Sequence, residues 1–115
     1  MATTEMPCLA SGGISLEGHV MEIVGKPDSA TITCVDQNGN AFTPKYIYIH
    51  TSTTDLIYLY ETNPTQVFQT ANNTWFTIGS NAPIISLSGN VFEIHSSNYA
   101  NMDSTSRVFV FGEYV

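Results

Sequence analysis

The chain has 115 residues, 43% hydrophobic and only 11% charged, against roughly a quarter charged in an ordinary soluble domain. Three Lys and Arg against ten Asp and Glu leave a net charge of −7, which excludes the cationic face that sequence-independent nucleic-acid binding requires. One domain of this length buries most of a core without disulfides or a metal, and a second does not fit.

Residues 1–13 contain Pro7 and Gly12-Gly13, show no alternation, and carry isolated apolar groups at Met6 and Leu9, so they read as a flexible amino-terminal arm ahead of a single domain over 14–115. From Ile14 onward the chain consists of short stretches rich in β-branched and aromatic residues, each ended by Gly, Pro, Asn or Asp, the pattern of strands and turns. The first strand is expected from Ile14 to about Val24, with Ile14, Leu16 and Val20 on one face and a bulge at Gly18 that shifts the phase to Met21 and Ile23. Ala30, Ile32 and Cys34 alternate with Thr31, Thr33 and Val35 up to a tight reversal at Asn38-Gly39. Lys45 to His50 and Leu56 to Glu61 flank Thr51-Ser52-Thr53-Thr54, and if they pair, Tyr46, Tyr48, Tyr58 and Tyr60 form a ladder on one face. Gln66 to Thr70 and Thr74 to Ile78 flank Ala71-Asn72-Asn73 as a further hairpin, and Ile84 to Ser88 and Val91 to His95 flank Gly89-Asn90 as another. Arg107 to Val115 makes a last, apolar strand expected to pair inside a sheet. No helix of three turns is visible.

About eight to nine strands at this spacing predict an all-β fold, an antiparallel β-sandwich of jelly-roll or Greek-key type. Keeping one parity within each strand predicts a core of Ile47, Ile49, Ile57, Leu59, Phe76, Ile78, Ile85, Leu87, Phe92, Ile94, Phe109 and Phe111. Met1 to Cys8 has neither the basic stretch nor the apolar run of a secretory signal, and no apolar window approaches the roughly 18 residues that span a bilayer. Synthesis in a cytoplasm and no membrane partner are expected. Cys8 and Cys34 lack a Cys-x-x-Cys spacing and read as two reduced thiols or as one disulfide.

Motifs for chemistry are sparse. His19, His50 and His95 show no His-x-His or His-Glu-x-x-His spacing, so strand-end imidazoles are expected rather than a metal site, and no cofactor is expected. There is no Gly-x-Ser-x-Gly elbow and no phosphate-cradling glycine loop. Glu17, Glu22, Glu61, Glu93 and Glu113 are the carboxylates that a glycosidase would need to bring together, while Asp28, Asp36, Asp55 and Asp103 read as turn formers before calcium ligands. Trp75 is either partly buried core or, beside Asn72, Asn73 and Asn81, a platform for stacking sugars.

An acidic all-β chain with an apolar-dotted arm (Met6-Pro7-Cys8-Leu9), loops rich in Thr and Asn, and a last strand Val108-Phe109-Val110-Phe111-Gly112-Glu113-Tyr114-Val115 resembles the small β-rich accessory proteins of tailed-phage virions, of the capsid decoration or cement type. The resemblance covers the chain in character without a diagnostic motif. It implies a non-enzymatic virion protein that binds the major capsid protein at subunit junctions of the assembled shell, as a dimer or trimer, and stabilises that shell. The arm residues Met6 and Leu9, and Tyr99 and Met102 in the 98–103 loop, are the expected contacts, since each sets an apolar group among polar ones. A carbohydrate-binding or receptor-binding module centred on Trp75 is the alternative.

Overall fold

The computed structural model describes residues 19–114, which form nine strands, β1 (His19–Val24), β2 (Thr31–Thr33), β3 (Phe42–His50), β4 (Asp55–Leu59), β5 (Gln66–Gln69), β6 (Thr74–Thr77), β7 (Ile84–Ser88), β8 (Val91–Ile94) and β9 (Arg107–Tyr114), and one short helix, α1 (Ser96–Ala100). All pairings are antiparallel. A six-stranded sheet has the order β1-β9-β3-β4-β5-β6, and a three-stranded sheet the order β2-β8-β7. The chain is therefore an antiparallel β-sandwich, as the strand count predicts. The expected first strand is described from His19 onward, and the rest of its span, with the arm, Met6, Cys8 and Leu9, lies outside the described residues.

Local chemistry sets the strand ends. In the β7–β8 hairpin Gly89 takes φ +58°, a left-handed conformation that glycine adopts without steric cost. The Asn38-Gly39 reversal forms, closed by a Val35–Ala41 bridge. It joins strands of different sheets, since β2 pairs with β8 while β3 pairs with β4 and β9. The nine-residue β3 begins earlier than the alternation suggests, with Phe42 and Pro44 opposite residue 114 and Gly112 and a register shift between Pro44 and Tyr46. Proline removes a ladder donor, and the irregularity beside it accommodates that loss. At Gly112 the strands approach so closely that an added Cβ would overlap the Thr43 carbonyl oxygen and come within 2.8 Å of Phe42 Cδ2.

The core lies between the sheets. Ile47 and Ile49 of β3, Leu56 and Tyr58 of β4, Val67 of β5, and Val108 and Val110 of β9 point inward from the large sheet; Ile32, Ile84, Phe92 and Ile94 meet them from the small one. The Tyr58 hydroxyl donates to the Pro64 carbonyl at 3.0 Å, satisfying the one polar atom of a ring that is otherwise enclosed.

Two parity expectations are overturned. Four loop residues separate the paired His50 and Asp55, so every even-numbered residue of β3 faces an odd-numbered residue of β4. Tyr48 stands opposite Ile57 and Tyr58 opposite Ile47, and Tyr58 is buried while Tyr46 and Tyr48 point the other way. The four-tyrosine ladder does not exist. In the same way Ile57, Leu59, Phe109 and Phe111, expected in the core, lie on the opposite face of the large sheet, and their neighbours Leu56, Tyr58, Val108 and Val110 take the core positions. Of the remaining expected core residues, Ile47, Ile49, Phe92 and Ile94 are buried, Phe76, Ile78 and Leu87 pack on the core from its rim, and Ile85 sits half-buried at the register shift between Ile84 and Ser86.

These faces predict unequal responses to the same truncation. Ile49→Ala should cost about 2–5 kcal/mol, the range for deleting a buried isoleucine, whereas Ile57→Ala should cost under about 1.5 kcal/mol. Urea denaturation of the two variants measures the difference, and equal losses would contradict the assignment of inner and outer faces.

Candidate docking face

The outer face of the large sheet is built by alternation. In β9, Val108 and Val110 turn inward, so Phe109 and Phe111 turn outward. The register then aligns outward residues across the sheet: Glu22 of β1 stands beside Phe109, Phe109 beside Tyr48, Tyr48 beside Ile57, Ile57 beside Phe68, and Phe68 beside Trp75 of β6. At the usual 4.7–4.9 Å strand spacing this row spans roughly 24 Å. A second row, Val20, Phe111, Tyr46 and Leu59, runs alongside it. The rings interlock, Tyr46 edge-on to Phe109 with centroids 6.0 Å apart and Phe68 tilted against Trp75 at 5.2 Å, the geometries aromatic pairs favour.

None of these side chains belongs to the core cluster, because the small sheet packs on the other face. Mutual packing leaves most of them half-buried, and Trp75 at the β6 end is 38% exposed. Charged groups lie at the margin. Glu22 ends the first row, Val24, Arg107, His50 and Asp55 make a third row along one side, and Lys45 sits with its Nζ 3.6 Å from the centre of the Tyr60 ring. The centre of this face is ion-poor and its rim charged, a distribution also found at protein–protein interfaces.

The margin holds one cluster of titratable groups. The Asp55 carboxylate sits 2.8 Å from His50 Nδ1 and accepts a hydrogen bond from the Tyr48 hydroxyl at 3.0 Å. Burial, then the hydrogen bond to Asp55 and the Asp55 charge, push the Tyr48 hydroxyl above its ordinary value of 10.0. A carboxylate holding an imidazole is two-thirds of a nucleophilic triad. Among the described residues no hydroxyl or thiol is hydrogen-bonded to His50.

The other candidate residues disperse. Trp75 lies on the outer face, outside the core cluster and packed against Phe68. Met102 is only 3% exposed and belongs to the core, and Tyr99 is half-buried, its hydroxyl donating to the Pro27 carbonyl at 2.6 Å beneath Lys26. Both are corrected from contact residues to packing residues, because α1 folds the 98–103 segment inward where a loop was expected. Met6 and Leu9 lie outside the described residues. His19 is buried, stacked on Phe42, with Nδ1 2.6 Å from Asp36 Oδ2. His95 caps α1 by accepting the Ser97 backbone N–H at Nδ1. Among the described residues no three His, Cys, Asp or Glu side chains are grouped to hold a metal. Cys34 is a buried free thiol. Glu93 is on the small sheet, Glu22 and Glu113 are on the large one, and Glu61 is in a turn. The outward row was missed because pairing, which one strand's alternation does not contain, is what aligns it; the unusual number of aromatics at even and odd positions alike was the available signal.

No family model, no curated protein and no solved structure matches the chain.

Asp36 Oδ1 accepts the backbone N–H groups of Asn38 and Asn40, each at 2.9 Å, and the Asn40 bond is the main cause holding this carboxyl below its ordinary 3.8. Asp103 is lowered similarly, first by the Thr105 hydroxyl and then by the Thr105 N–H. A folded-state pKa below the unfolded value stabilises the fold above the unfolded pKa, and that contribution disappears as pH falls through the folded one. Thermal melts should therefore show midpoints falling as pH drops from about 5 toward 2, with a shallower fall in an Asp36→Asn/Asp103→Asn variant. Parallel curves for the two proteins would show that these carboxylates do not govern acid stability.

Proposed function

We propose that the chain is a non-enzymatic docking protein that lays the outer face of its six-stranded sheet against another protein. Its setting is the virion shell: it decorates an assembled capsid, with the major capsid protein as partner, and stabilises that shell. The observation that carries this reading is the continuous outward row Phe109, Tyr48, Ile57, Phe68 and Trp75. Such a row offers contact area and ring edges with few ions to desolvate, which suits binding to a preformed protein surface. A repeating shell suits it further, since weak, flat contacts made by several copies reinforce one another through effective concentration.

Association between copies, as a dimer or trimer, fits the same features. The β6 edge, Thr74–Thr77, ends the large sheet and carries no lysine to discourage pairing with another strand. The face is less suited to sugar stacking around Trp75. A ring stacked there would need hydrogen-bonding groups at its perimeter, and inward along the row the neighbours are Phe68 and Ile57.

Co-sedimentation with assembled shells of the virus that encodes the chain tests the reading. Tyr48→Lys/Ile57→Lys should weaken association by at least about tenfold, the effect of losing a central contact, while circular dichroism stays unchanged. Undiminished binding by this variant would remove the face from the account. A gene far from those for capsid and portal proteins would remove the virion setting.

A further inference from the structure

A second, chemically different surface lies at one end of the sandwich. There the β3–β4 turn, the end of β5, residues 81–83, and α1 with its flanks border an open cleft of about 270 Å³. Gln69, Asn81, Asn98, Asn101, His95 and Ser97 line it, and no Asp, Glu, Lys or Arg does. In a chain of net charge −7, a wall without any ionised side chain is a selective feature: it offers no opposite charge to repay the desolvation of a phosphate, a carboxylate or an ammonium group.

The described residues leave the amides in this wall unused. Asn98 is only 9% exposed, and its carboxamide makes no hydrogen bond to any described residue. A carboxamide carries two donors and an acceptor oxygen with two lone pairs, and a group so enclosed ordinarily finds partners within the protein. Neither of its polar atoms is sealed from solvent, and Asn98 lines the cleft. The carboxamides of Gln69, Asn81 and Asn101 are likewise without protein partners among the described residues. His95 adds a fixed donor: Nδ1 accepts the Ser97 backbone N–H at 3.1 Å, which places the proton of the neutral ring on Nε2.

The walls are held before any ligand arrives. The Ser52 hydroxyl donates to the Asn101 carbonyl at 2.8 Å, tying the β3–β4 turn to the end of α1, and the His95 N–H donates to the Pro83 carbonyl at 2.8 Å, tying α1 to the 79–83 loop. Preorganised polar walls reduce the ordering cost of binding.

We propose that this cleft binds one ring of a neutral carbohydrate. Sugar hydroxyls both donate and accept, as carboxamides do, and they match a wall that has both functions and no charge. The volume lies just under the roughly 300–1,000 Å³ of pockets for drug-sized ligands, so it takes a single ring with the remainder of a glycan outside. Trp75 is not part of the lining, so this site is separate from the docking face and stands whether or not that face binds a shell.

The test is titration of the isotope-labelled protein with methyl glycosides of glucose, galactose and N-acetylglucosamine, following side-chain amide signals by NMR. Saturable shifts at Asn81, Asn98 and Asn101 are expected with at least one of them, at a Kd of roughly 1 mM, as befits one solvent-accessible ring. Methyl glucuronide should bind more weakly than methyl glucoside. Asn81→Ala and Asn101→Ala, at exposed positions whose side chains make no hydrogen bond to a described residue, should each weaken binding roughly two- to tenfold, the effect of losing one hydrogen bond, and Trp75→Ala should leave it unchanged. The absence of saturable shifts with every neutral glycoside would overturn the proposal. So would glucuronide binding as tight as glucoside, or binding lost in Trp75→Ala and kept in Asn81→Ala.

Discussion

The architecture depends on one small turn. Thr51, almost fully buried, receives the Thr53 and Thr54 N–H groups at its hydroxyl oxygen, donates that hydroxyl to the Thr54 carbonyl at 2.8 Å, and closes the loop again with its own N–H to the same carbonyl. This holds the β3–β4 connection at four residues and so fixes which side chains of β4 share a face with those of β3. One residue more or fewer would exchange Leu56 and Tyr58 with Ile57 and Leu59 and turn the core face of β4 toward water. The register propagates: β4 orients β5, β5 orients β6, and the row that ends at Trp75 is a late consequence of hydrogen bonds around a threonine hydroxyl.

A large sheet whose two faces are both apolar explains the low charge of the chain. An ordinary sandwich clothes its outer strand faces in Lys and Glu. Here the outer positions of the central strands are taken by Phe, Tyr, Ile and Leu, and ionised side chains remain at the edges, in turns, and on the small sheet. The same distribution separates two kinds of surface on one small body: a flat aromatic face able to exclude water over a wide area, and at the sandwich end an amide-lined recess that keeps its hydrogen bonds available. Their chemistries scarcely overlap, so the classes of partner that would suit them differ.

Much of this was legible in the sequence. Gly89-Asn90, Ala71-Asn72-Asn73 and Thr51 to Thr54 mark hairpins that form, and the apolar run from Arg107 is a strand with neighbours on both sides. Parity was harder. In Val108-Phe109-Val110-Phe111 both alternations are apolar, and choosing the larger side chains for the interior picks the wrong one. Only the partner strands decide, because Ile47 and Ile49 already occupy the inner side opposite the valines. Lys45-Tyr46-Ile47-Tyr48-Ile49 offered a truer guide, since a phenolic oxygen favours an outward position where it can meet water or, as at Tyr48, a carboxylate. The fate of Met102 and Tyr99 was hidden for another reason. Ser96–Ala100 is too short to show a helical period, yet it suffices to carry both residues inward. The cleft was hidden because its walls come from segments far apart in the chain, joined by contacts such as Ser52 to Asn101.

Cys34 occupies the crossing between the layers. Its N–H donates to the Asn90 carbonyl of the small sheet's hairpin, its own carbonyl accepts the N–H of Phe42 at the start of β3, and burial pushes its thiol up to about 12. At neutral pH such a sulfur is both protonated and enclosed, and alkylating reagents require the thiolate. Its modification therefore waits on moments when the two layers part. The seam of the sandwich carries its own clock, in which the rate of thiol capture counts openings of this joint, and any partner that clamps the layers together would slow the count.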